Sequence, residues 1–319
     1  MMQNSLHIVL SSDENYAEFV AVVIVSLFET NKNHNICVHL LSNNIQESTI
    51  AVLRKHVPQD RGELLVYDIS NTREKLNTNL PTTISIAAYS RLLVQNLLPR
   101  EIDRVLYVDT DVVFNGDISS LWEIDLQGYY VAGVSDIWPG SKMKRMVGLS
   151  ESELYINSGV LLINLRAWRE DDLESKITEF MNKYNGVVYH HDQGIINGVC
   201  KGRKLMLHPQ YNTTSNFYSH PYKYASKNVV PFYSEVEFEQ AKNNPKIIHF
   251  TPGLFDRPWT SSSKHPLLYI YEEYHNKTEW KNAPKRKAYS SFPLRVMRMI
   301  YTILPFSVYS FISKQLEDK

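Results

Sequence analysis

This chain contains few cysteines and few glycines, and neither positive nor negative charge is in excess. Its 319 residues include two cysteines, Cys37 and Cys200, which are too few and too far apart for a disulfide framework or a zinc cluster. The 34 Lys and Arg residues balance 34 Asp and Glu residues, so no overall field draws the chain onto nucleic acid. The 12 glycines form neither a Walker A loop nor a Gly-x-Gly-x-x-Gly motif, which excludes the common phosphate-binding loops.

Long apolar runs are also missing. The longest, Phe19 to Phe28, is about half of what a membrane-spanning helix needs. The first ten residues lack the basic segment and the apolar core of a secretory signal. From these absences we expect a cytoplasmic protein.

Alternating apolar strands and helices are present, and they predict an α/β fold with a largely parallel sheet. The predicted strands are Leu6–Leu10, Ile36–Leu41, Glu63–Asp68, Val105–Asp109 and Ser158–Asn164. The predicted helices are Glu18–Glu29, Ser48–His56, Ser85–Leu98 and Leu173–Tyr184.

The sharpest local motif follows the strand that begins near Val105. Asp109 and Asp111 come at its end, and residues two apart on an extended chain point to the same side. Two such carboxylates repel each other unless a cation or a proton neutralises them, which indicates a divalent-metal site of the Asp-x-Asp type. Asp is also common in solvated turns, and this alternative stays open on three residues alone.

The same motif has a second chemical interpretation. An apolar strand that ends in Asp-x-Asp resembles the first motif of haloacid dehalogenase-like phosphatases, in which the first Asp is a nucleophile. That family also needs a later acidic pair, and the candidate Asp171-Asp172 opens an amphipathic helix instead.

Further segments point to another family. Six linked motifs occur between about residues 6 and 259: Ser12–Tyr16, Ala88–Leu92, the Asp109 motif, Tyr155–Asn164, His191–Gly194, and Ile248–Gly253 with Arg257–Trp259. Their order and spacing resemble glycosyltransferase family 8, which includes bacterial lipopolysaccharide galactosyl- and glucosyltransferases and glycogenin. The resemblance implies a GT-A-type, Rossmann-like domain with a mixed central sheet.

The resemblance implies a metal site. Asp109 and Asp111 match the family's acidic pair, and His249 matches its third protein ligand. This set of oxygen and nitrogen donors suits Mn²⁺, with Mg²⁺ as the other option. The metal would bridge the two phosphates of a UDP-sugar and neutralise the departing diphosphate.

The resemblance also implies a donor site. Asp13 and Asn15 match positions that hold the nucleotide, and Arg91 matches an arginine that reaches the sugar and the acidic cluster. Gly253 and Arg257 match residues on the diphosphate.

The sugar-facing groups are predicted in the same way. Asn157, Asp192 and Gln193 match family positions that face the sugar, with Gln193 beneath the anomeric carbon. An amide is a poor nucleophile, which favours same-face attack over double displacement for a retaining enzyme.

The loop after His249 departs from the family pattern, His-x-x-Gly-x-x-Lys-Pro-Trp. Here one residue is inserted before Gly253, one more lies between Gly253 and the basic residue, and Arg257 replaces Lys. Arg keeps the positive charge and binds phosphate bidentately.

The C-terminal segment differs from the rest in composition. Residues 281–314 contain seven basic residues and no acidic one, with interleaved aromatics. We therefore divide the chain into a catalytic domain, 1–260, and a basic amphipathic helical tail, 261–319. Such a tail is typical of segments that lie in a membrane interface, although a helix docked on the domain is the alternative.

Together these features predict a retaining hexosyltransferase. It would move galactose or glucose from UDP-galactose or UDP-glucose to a lipid-linked or cell-surface glycan such as lipopolysaccharide. The tail would hold it on the inner face of the membrane, with no nucleic-acid partner. A non-catalytic nucleotide-sugar binder is a further alternative, but the intact Asp109, Asp111 and His249 speak against it.

Overall fold

The structure is a computed structural model, and it describes residues 5–71, 89–137, 141–288 and 292–317. Ten strands are described, seven in a central sheet and three in a smaller one. They are β1 (Leu6–Asp13), β2 (Ile36–Asn43), β3 (Gly62–Asp68), β4 (Arg104–Val108), β5 (Val112–Phe114), β6 (Val131–Ser135), β7 (Ile156–Asn164), β8 (Lys204–Met206), β9 (Thr213–Thr214) and β10 (Ile247–His249).

Helices lie on both faces of the central sheet. In chain order they are α1 (Ala17–Thr30), α2 (Glu47–Lys55), α3 (Val94–Leu97), α4 (Ser119–Trp122), α5 (Ser141–Met146), α6 (Leu165–Glu170), α7 (Leu173–Lys183), α8 (His191–Val199), α9 (Asn216–Ser219), α10 (Tyr222–Asn228), α11 (Glu235–Asn243), α12 (Leu268–His275), α13 (Phe292–Ile303) and α14 (Phe306–Glu317). Short 3-10 helices cover Glu14–Tyr16, Ser90–Leu93 and Pro209–Tyr211.

The central sheet has the order β3-β2-β1-β4-β7-β6-β8. β7 runs antiparallel to both β4 and β6, and the other neighbours are parallel. Continuous apolar runs form these strands because helices cover both faces of the sheet. The mixed central sheet expected from the sequence is confirmed.

The predicted elements lie where the apolar pattern places them, with one difference. The expected helix Ser85–Leu98 falls partly outside the described residues, and its described part is a 3-10 helix followed by α3. Arg91 therefore lies on a 3-10 turn and not on a regular α-helix.

The small sheet is placed beside α1. Its order is β5-β10-β9, with His249 opposite Val112. A third core cluster joins α1 and β10 to α12, and Trp259 stacks on Phe19 within it at a ring-centroid distance of 3.8 Å. Helix α12 thus packs into the core, although it lies beyond residue 260. The division of the chain at residue 260 stays a prediction.

The last two helices contact the domain at Arg298 and Phe306. Phe306 packs edge-on against His220 and Tyr224, and Tyr309 is buried. Arg298 reaches the loop after β10. No helix among the described residues has the length and hydrophobicity needed to cross a bilayer.

Candidate active site

Several of the predicted site residues lie together at the carboxyl ends of β1 and β4. This edge is where open α/β sheets bind ligands, because strand order changes there. A cavity of about 260 Å³ opens at this edge. Its lining residues are Ser11, Ser12, Asp13, Tyr16, Arg91, Tyr107, Asp109, Thr110, Asp111 and Arg257.

Two carboxylates that line this cavity, Asp109 and Asp111, converge with the imidazole of His249. Asp109 follows β4, Asp111 precedes β5, and His249 ends β10, which pairs with β5. One ligand atom from each residue lies within 4.8 Å of the others. His249 Nε2 is 3.1 Å from Asp111 Oδ1. The predicted metal ligands are therefore brought together by two different sheets.

Burial and neighbouring charges set the protonation of these three groups. Burial raises the pKa of Asp109, although the Arg91 guanidinium opposes this. Burial also opposes ionisation of Asp111, but Arg257 and His249 outweigh it and hold the pKa of Asp111 well below its ordinary value. For His249, burial disfavours the protonated form, yet Asp111 raises the pKa. The two shifts in pKa favour the charged forms of Asp111 and His249, which lie side by side where a cation would bind.

The surroundings of the three residues fit a metal ion. Asn212 Oδ1 lies 2.9 Å from His249 Nδ1, so an Nδ1–H donated to it leaves Nε2 to face the carboxylates. A Cβ added at Gly159 would stand 2.2 Å from His249 Cε1 and 2.9 Å from Asp109 Oδ2. Glycine at this position keeps open the space beside both ligands.

Arg91 is the electrostatic centre of the site. It is 4% exposed and donates to Asp109 Oδ1 at 2.6 Å and to the carbonyl of Ser158 at 2.6 Å. Its Nε is 3.2 Å from Asp192 Oδ2, and its guanidinium lies over the Tyr107 ring. One buried cation therefore joins Asp109 of the acidic pair to Asp192, the predicted sugar-binding carboxylate.

The predicted sugar-facing residues form a connected polar network. Gln193 Oε1 accepts from the Ser158 amide at 3.0 Å, and its Nε2 donates to Asp136 Oδ2 at 2.8 Å. Asn157 Oδ1 accepts from Asn212 Nδ2 at 2.8 Å. The Gln193 amide is thus held at both ends, and Asn157 is tied to the partner of His249.

The two predicted nucleotide residues differ in position. Asp13 lines the cavity, and its buried Oδ1 has no hydrogen-bond partner among the described residues. Asn15 is exposed on the 3-10 turn that follows, where its carbonyl accepts from Arg286. Asp13 therefore offers a free acceptor to a ligand, whereas the side chain of Asn15 lies outside the cavity lining.

The loop after β10 brings one of its two predicted residues to the cavity. Arg257 lines it and pairs with Asp111. Gly253 is not among the lining residues, and its carbonyl accepts from Arg298 Nη2 at 2.8 Å. A Cβ at Gly253 would meet its nearest neighbour at 3.8 Å, so close packing does not require glycine there.

Comparison with known proteins agrees with this arrangement. The model of a family described as "Glycosyl transferase family 8" matches residues 7–263. The chain belongs to glycosyl transferase family 8. The family model covers each of the site residues named above, from Asp13 to Arg257.

Members of family 8 with curated descriptions resemble most of the chain. General stress protein A of Bacillus subtilis is 26% identical, over 86% of this chain and 94% of that protein. Lipopolysaccharide 1,2-glucosyltransferase of Escherichia coli K12 is 29% identical, over 89% of this chain and 82% of the relative.

A crystal structure of the galactosyltransferase LgtC, in complex with donor and acceptor sugar analogues, has the same fold. The TM-score is 0.74 at 24% identity, over 87% of this chain and 99% of that one. This confirms the GT-A-type fold.

Family 8 membership makes the chain a glycosyltransferase. The Asp-x-Asp strand therefore belongs to a transferase, and the phosphatase interpretation of Asp109 and Asp111 is wrong. The individual roles of the site residues stay predictions.

Four residues that contact the active-site side chains were not predicted from the sequence. They are Ser158, Gly159, Asn212 and Asp136. The first two lie inside a motif that the sequence did single out, whereas nothing in the sequence around Asn212 or Asp136 indicates their positions.

Proposed function

We propose that this glycosyltransferase moves a hexose from a UDP-sugar, with retention of configuration, to a lipid-linked glycan. One observation carries the proposal. Asp109 and Asp111, which lie together with His249, line the same cavity as Asp13, whose Oδ1 has no hydrogen-bond partner among the described residues, so a cation site and a nucleotide acceptor lie side by side.

The acidic pair and His249 are the residues that would hold a divalent metal. Two carboxylates with one imidazole suit Mn²⁺, and Mg²⁺ is the second choice because it prefers oxygen donors. When bound, the metal supplies positive charge that neutralises the diphosphate leaving group. Asn212 and Gly159 support this role by orienting His249 and leaving room beside it.

The cavity offers groups of opposite charge for the two ends of a nucleotide sugar. Arg257 lies 29% exposed at its mouth and can release Asp111 to bind phosphate bidentately. Asp13 would accept hydrogen bonds from the base or the ribose. These residues bind and orient the donor.

Asp192 and Gln193 support a retaining reaction on one face of the sugar. Asp192, held by Arg91 and Ser158, keeps a carboxylate for sugar hydroxyls. Gln193 has its amide oxygen engaged by the Ser158 N–H, which weakens it further as a nucleophile. We therefore favour same-face attack, with the acceptor hydroxyl entering beside the departing diphosphate.

The names of two similar proteins support the choice of sugar and acceptor. One is named a lipopolysaccharide 1,2-glucosyltransferase, and the similar crystal structure is that of a galactosyltransferase. We propose UDP-glucose or UDP-galactose as donor and a lipopolysaccharide-type glycan as acceptor.

The C-terminal helices support a peripheral position on the inner face of the membrane. Exposed apolar side chains lie along α13 and α14, at Met299, Ile303, Leu304, Val308 and Phe311. Exposed basic residues accompany them, at Lys281, Lys287 and Arg295. Apolar and basic groups on one segment match an anionic lipid surface.

The proposal is tested with a panel of UDP-sugars. The full chain is incubated with Mn²⁺, each donor and a truncated lipopolysaccharide, and hydrolysis and transfer are followed by mass spectrometry. Transfer from one UDP-hexose, with the new linkage retaining the donor's anomeric configuration, is expected. Donor binding without turnover on any acceptor would instead support a nucleotide-sugar binder.

A further inference from the structure

A second cluster of metal-ligating side chains lies at the other end of the sheet. Among the described residues, His7, Cys37 and His39 each offer a ligand atom within 4.8 Å of the others. Glu63 Oε2 lies 4.0 Å from Cys37 Sγ. His7 precedes Asp13 by six residues on β1, so the cluster is roughly 20 Å from the active site along the strand. It serves no step of glycosyl transfer.

Strand register explains how the four residues meet. In the parallel sheet, His7 pairs with Cys37 and Cys37 pairs with Glu63, so the three lie side by side on β1, β2 and β3. His39 is two residues beyond Cys37 and therefore on the same face. Strands β1 and β2 thus bring His7, Cys37 and His39 together, and β3 places Glu63 beside Cys37.

The hydrogen bonds around His39 resemble the surroundings of a metal-bound histidine. His39 Nδ1 is 3.0 Å from the hydroxyl of Tyr67, and His39 Nε2 is 3.0 Å from His7 Nδ1. When Nδ1–H donates to Tyr67, the lone pair of Nε2 faces that of His7. Either a proton or a cation must lie between these two nitrogens. Two nitrogens on one tetrahedral Zn²⁺ are roughly 3.3 Å apart, close to the separation seen here.

Charge and exposure also suit a cation. A Cys37 thiolate and the Glu63 carboxylate together carry the two negative charges that neutralise a divalent ion. Burial raises the pKa of the Cys37 thiol to about 12, so the free protein keeps it protonated, and metal binding would expel that proton. Cys37 and His39 are fully buried, whereas His7 and Glu63 are half-buried and leave an entrance for the ion.

We propose that His7, Cys37, His39 and Glu63 form a structural site for a thiophilic divalent metal, with Zn²⁺ as the best match. Four protein ligands with one sulfur, two imidazole nitrogens and one carboxylate give a closed tetrahedral set. The ion would join the edge strand β3 to β2 and β1. The sequence conceals this site because its ligands come from three strands and contain a single cysteine.

The test uses Co²⁺ as a spectroscopic substitute for Zn²⁺ on the full chain. A thiolate bound to Co²⁺ gives an intense near-ultraviolet charge-transfer band, which the active site cannot produce because it contains no cysteine. We expect the band to saturate at one Co²⁺ per chain and to disappear on addition of Zn²⁺. Cys37→Ser should abolish it.

Cys200→Ser is the matched control, because Cys200 is equally buried but lies in a different core cluster. It should keep the band. Zn²⁺ should also raise the melting temperature of the wild type more than that of Cys37→Ser.

A second variant covers the case in which Cys37→Ser does not fold. Glu63→Gln changes a half-buried side chain without changing its size, and it should weaken Co²⁺ binding by at least about tenfold while the band persists at high metal. No band in the wild type with excess Co²⁺, or an unchanged affinity in Glu63→Gln, would overturn the proposal. The cluster would then be a hydrogen-bonded network in the sheet.

Discussion

The active site and the C-terminal helices are built by opposite means. In the active site, charged groups bind one another: the buried Arg91 contacts Asp109, Ser158 and Asp192. Helices α13 and α14 instead expose apolar side chains, among them Ile303 and Phe311, and contact the domain at Arg298 and Phe306. The first region is fixed by the fold, whereas the second has apolar surface left for a partner.

Because the two regions differ in this way, substitutions in one should have different effects from substitutions in the other. Removing a buried, paired charge leaves its partner uncompensated and costs far more than removing an exposed group. Changes in the site should therefore remove catalysis, and changes in the tail should alter where the enzyme acts.

The largest effect is expected at the acidic pair. Asp109→Asn or Asp111→Asn removes a metal ligand together with its charge, so transfer should fall by at least about a thousandfold. Chelation should do the same to the wild type, and Mn²⁺ should restore only the wild type. Asp60→Asn, at an exposed position away from the cavity, is the control and should keep full activity. Full activity in excess chelator would contradict the metal assignment.

Asp192 tests the sugar end of the site separately from the metal end. Asp192→Ala should lower turnover by about a hundredfold, because it removes the carboxylate that we propose orients the sugar hydroxyls. UDP with Mn²⁺ should still bind with near wild-type affinity, as calorimetry would measure. An equal loss of UDP affinity would place Asp192 in the nucleotide site or the fold.

Asn212 tests whether the network around the site acts on the metal. Asn212→Ala removes the acceptor for His249 Nδ1, and the Mn²⁺ concentration for half-maximal activity should rise about tenfold or more. Saturating Mn²⁺ should restore most of the rate. Asn212→Asp keeps an acceptor oxygen for His249 but loses the donor to Asn157 Oδ1, so its Mn²⁺ requirement should lie between those of Asn212→Ala and the wild type. A rate that stays low at any Mn²⁺ concentration would indicate a purely structural role.

The sequence predicts those parts of the molecule that depend on local pattern. Asp109 and Asp111 were found because they lie two residues apart directly after the apolar run of β4, and the apolar runs placed β1, β2 and β4 within a few residues. Asn212 and Asp136 were missed because only the packed fold brings them near His249 and Gln193. Asn15 and Gly253 show the converse, since they match family positions but lie outside the cavity lining.

Substitutions in helices α13 and α14 should reduce membrane binding and leave the rate of the chemical reaction nearly unchanged. Replacing Ile303 and Phe311 by Ser removes exposed apolar groups that would each contribute about 1.5–3 kcal/mol on burial in lipid. Sedimentation with anionic liposomes should fall several-fold, and hydrolysis of the UDP-sugar should be unchanged. Val236→Ser, an exposed apolar residue on α11, is the matched control and should not alter sedimentation.

A truncation after residue 288 provides a second check on the tail. It keeps Arg286, which contacts Asn15 and Glu18 near the cavity, and removes α13 and α14. The truncated chain should remain in the supernatant more than the full chain does. If both pelleted equally, the two helices would be only a packed part of the domain.

Arg298 is the contact through which the tail reaches the active-site loop. Its Nε and Nη2 donate to the Gly253 carbonyl at 3.1 and 2.8 Å, and its Nη1 pairs with Asp256 at 2.6 Å. Arg257, which follows Asp256 in the sequence, pairs with Asp111. Arg298 therefore acts as a positioning residue for the loop that carries Arg257.

The smallest effect is expected when this contact is removed. Arg298→Ala removes hydrogen bonds made by a charged, partly exposed side chain, so it should destabilise the ordered loop by about 1 kcal/mol. This free energy corresponds to about a fivefold rise in the KM for the donor. The kcat should change little, since Arg257 itself is retained. Arg295→Ala, an exposed neighbour on α13, should do the reverse: it should keep the KM and weaken liposome binding about fivefold. If Arg298→Ala altered only liposome binding, the loop would be held without the tail, and the two regions would be energetically independent.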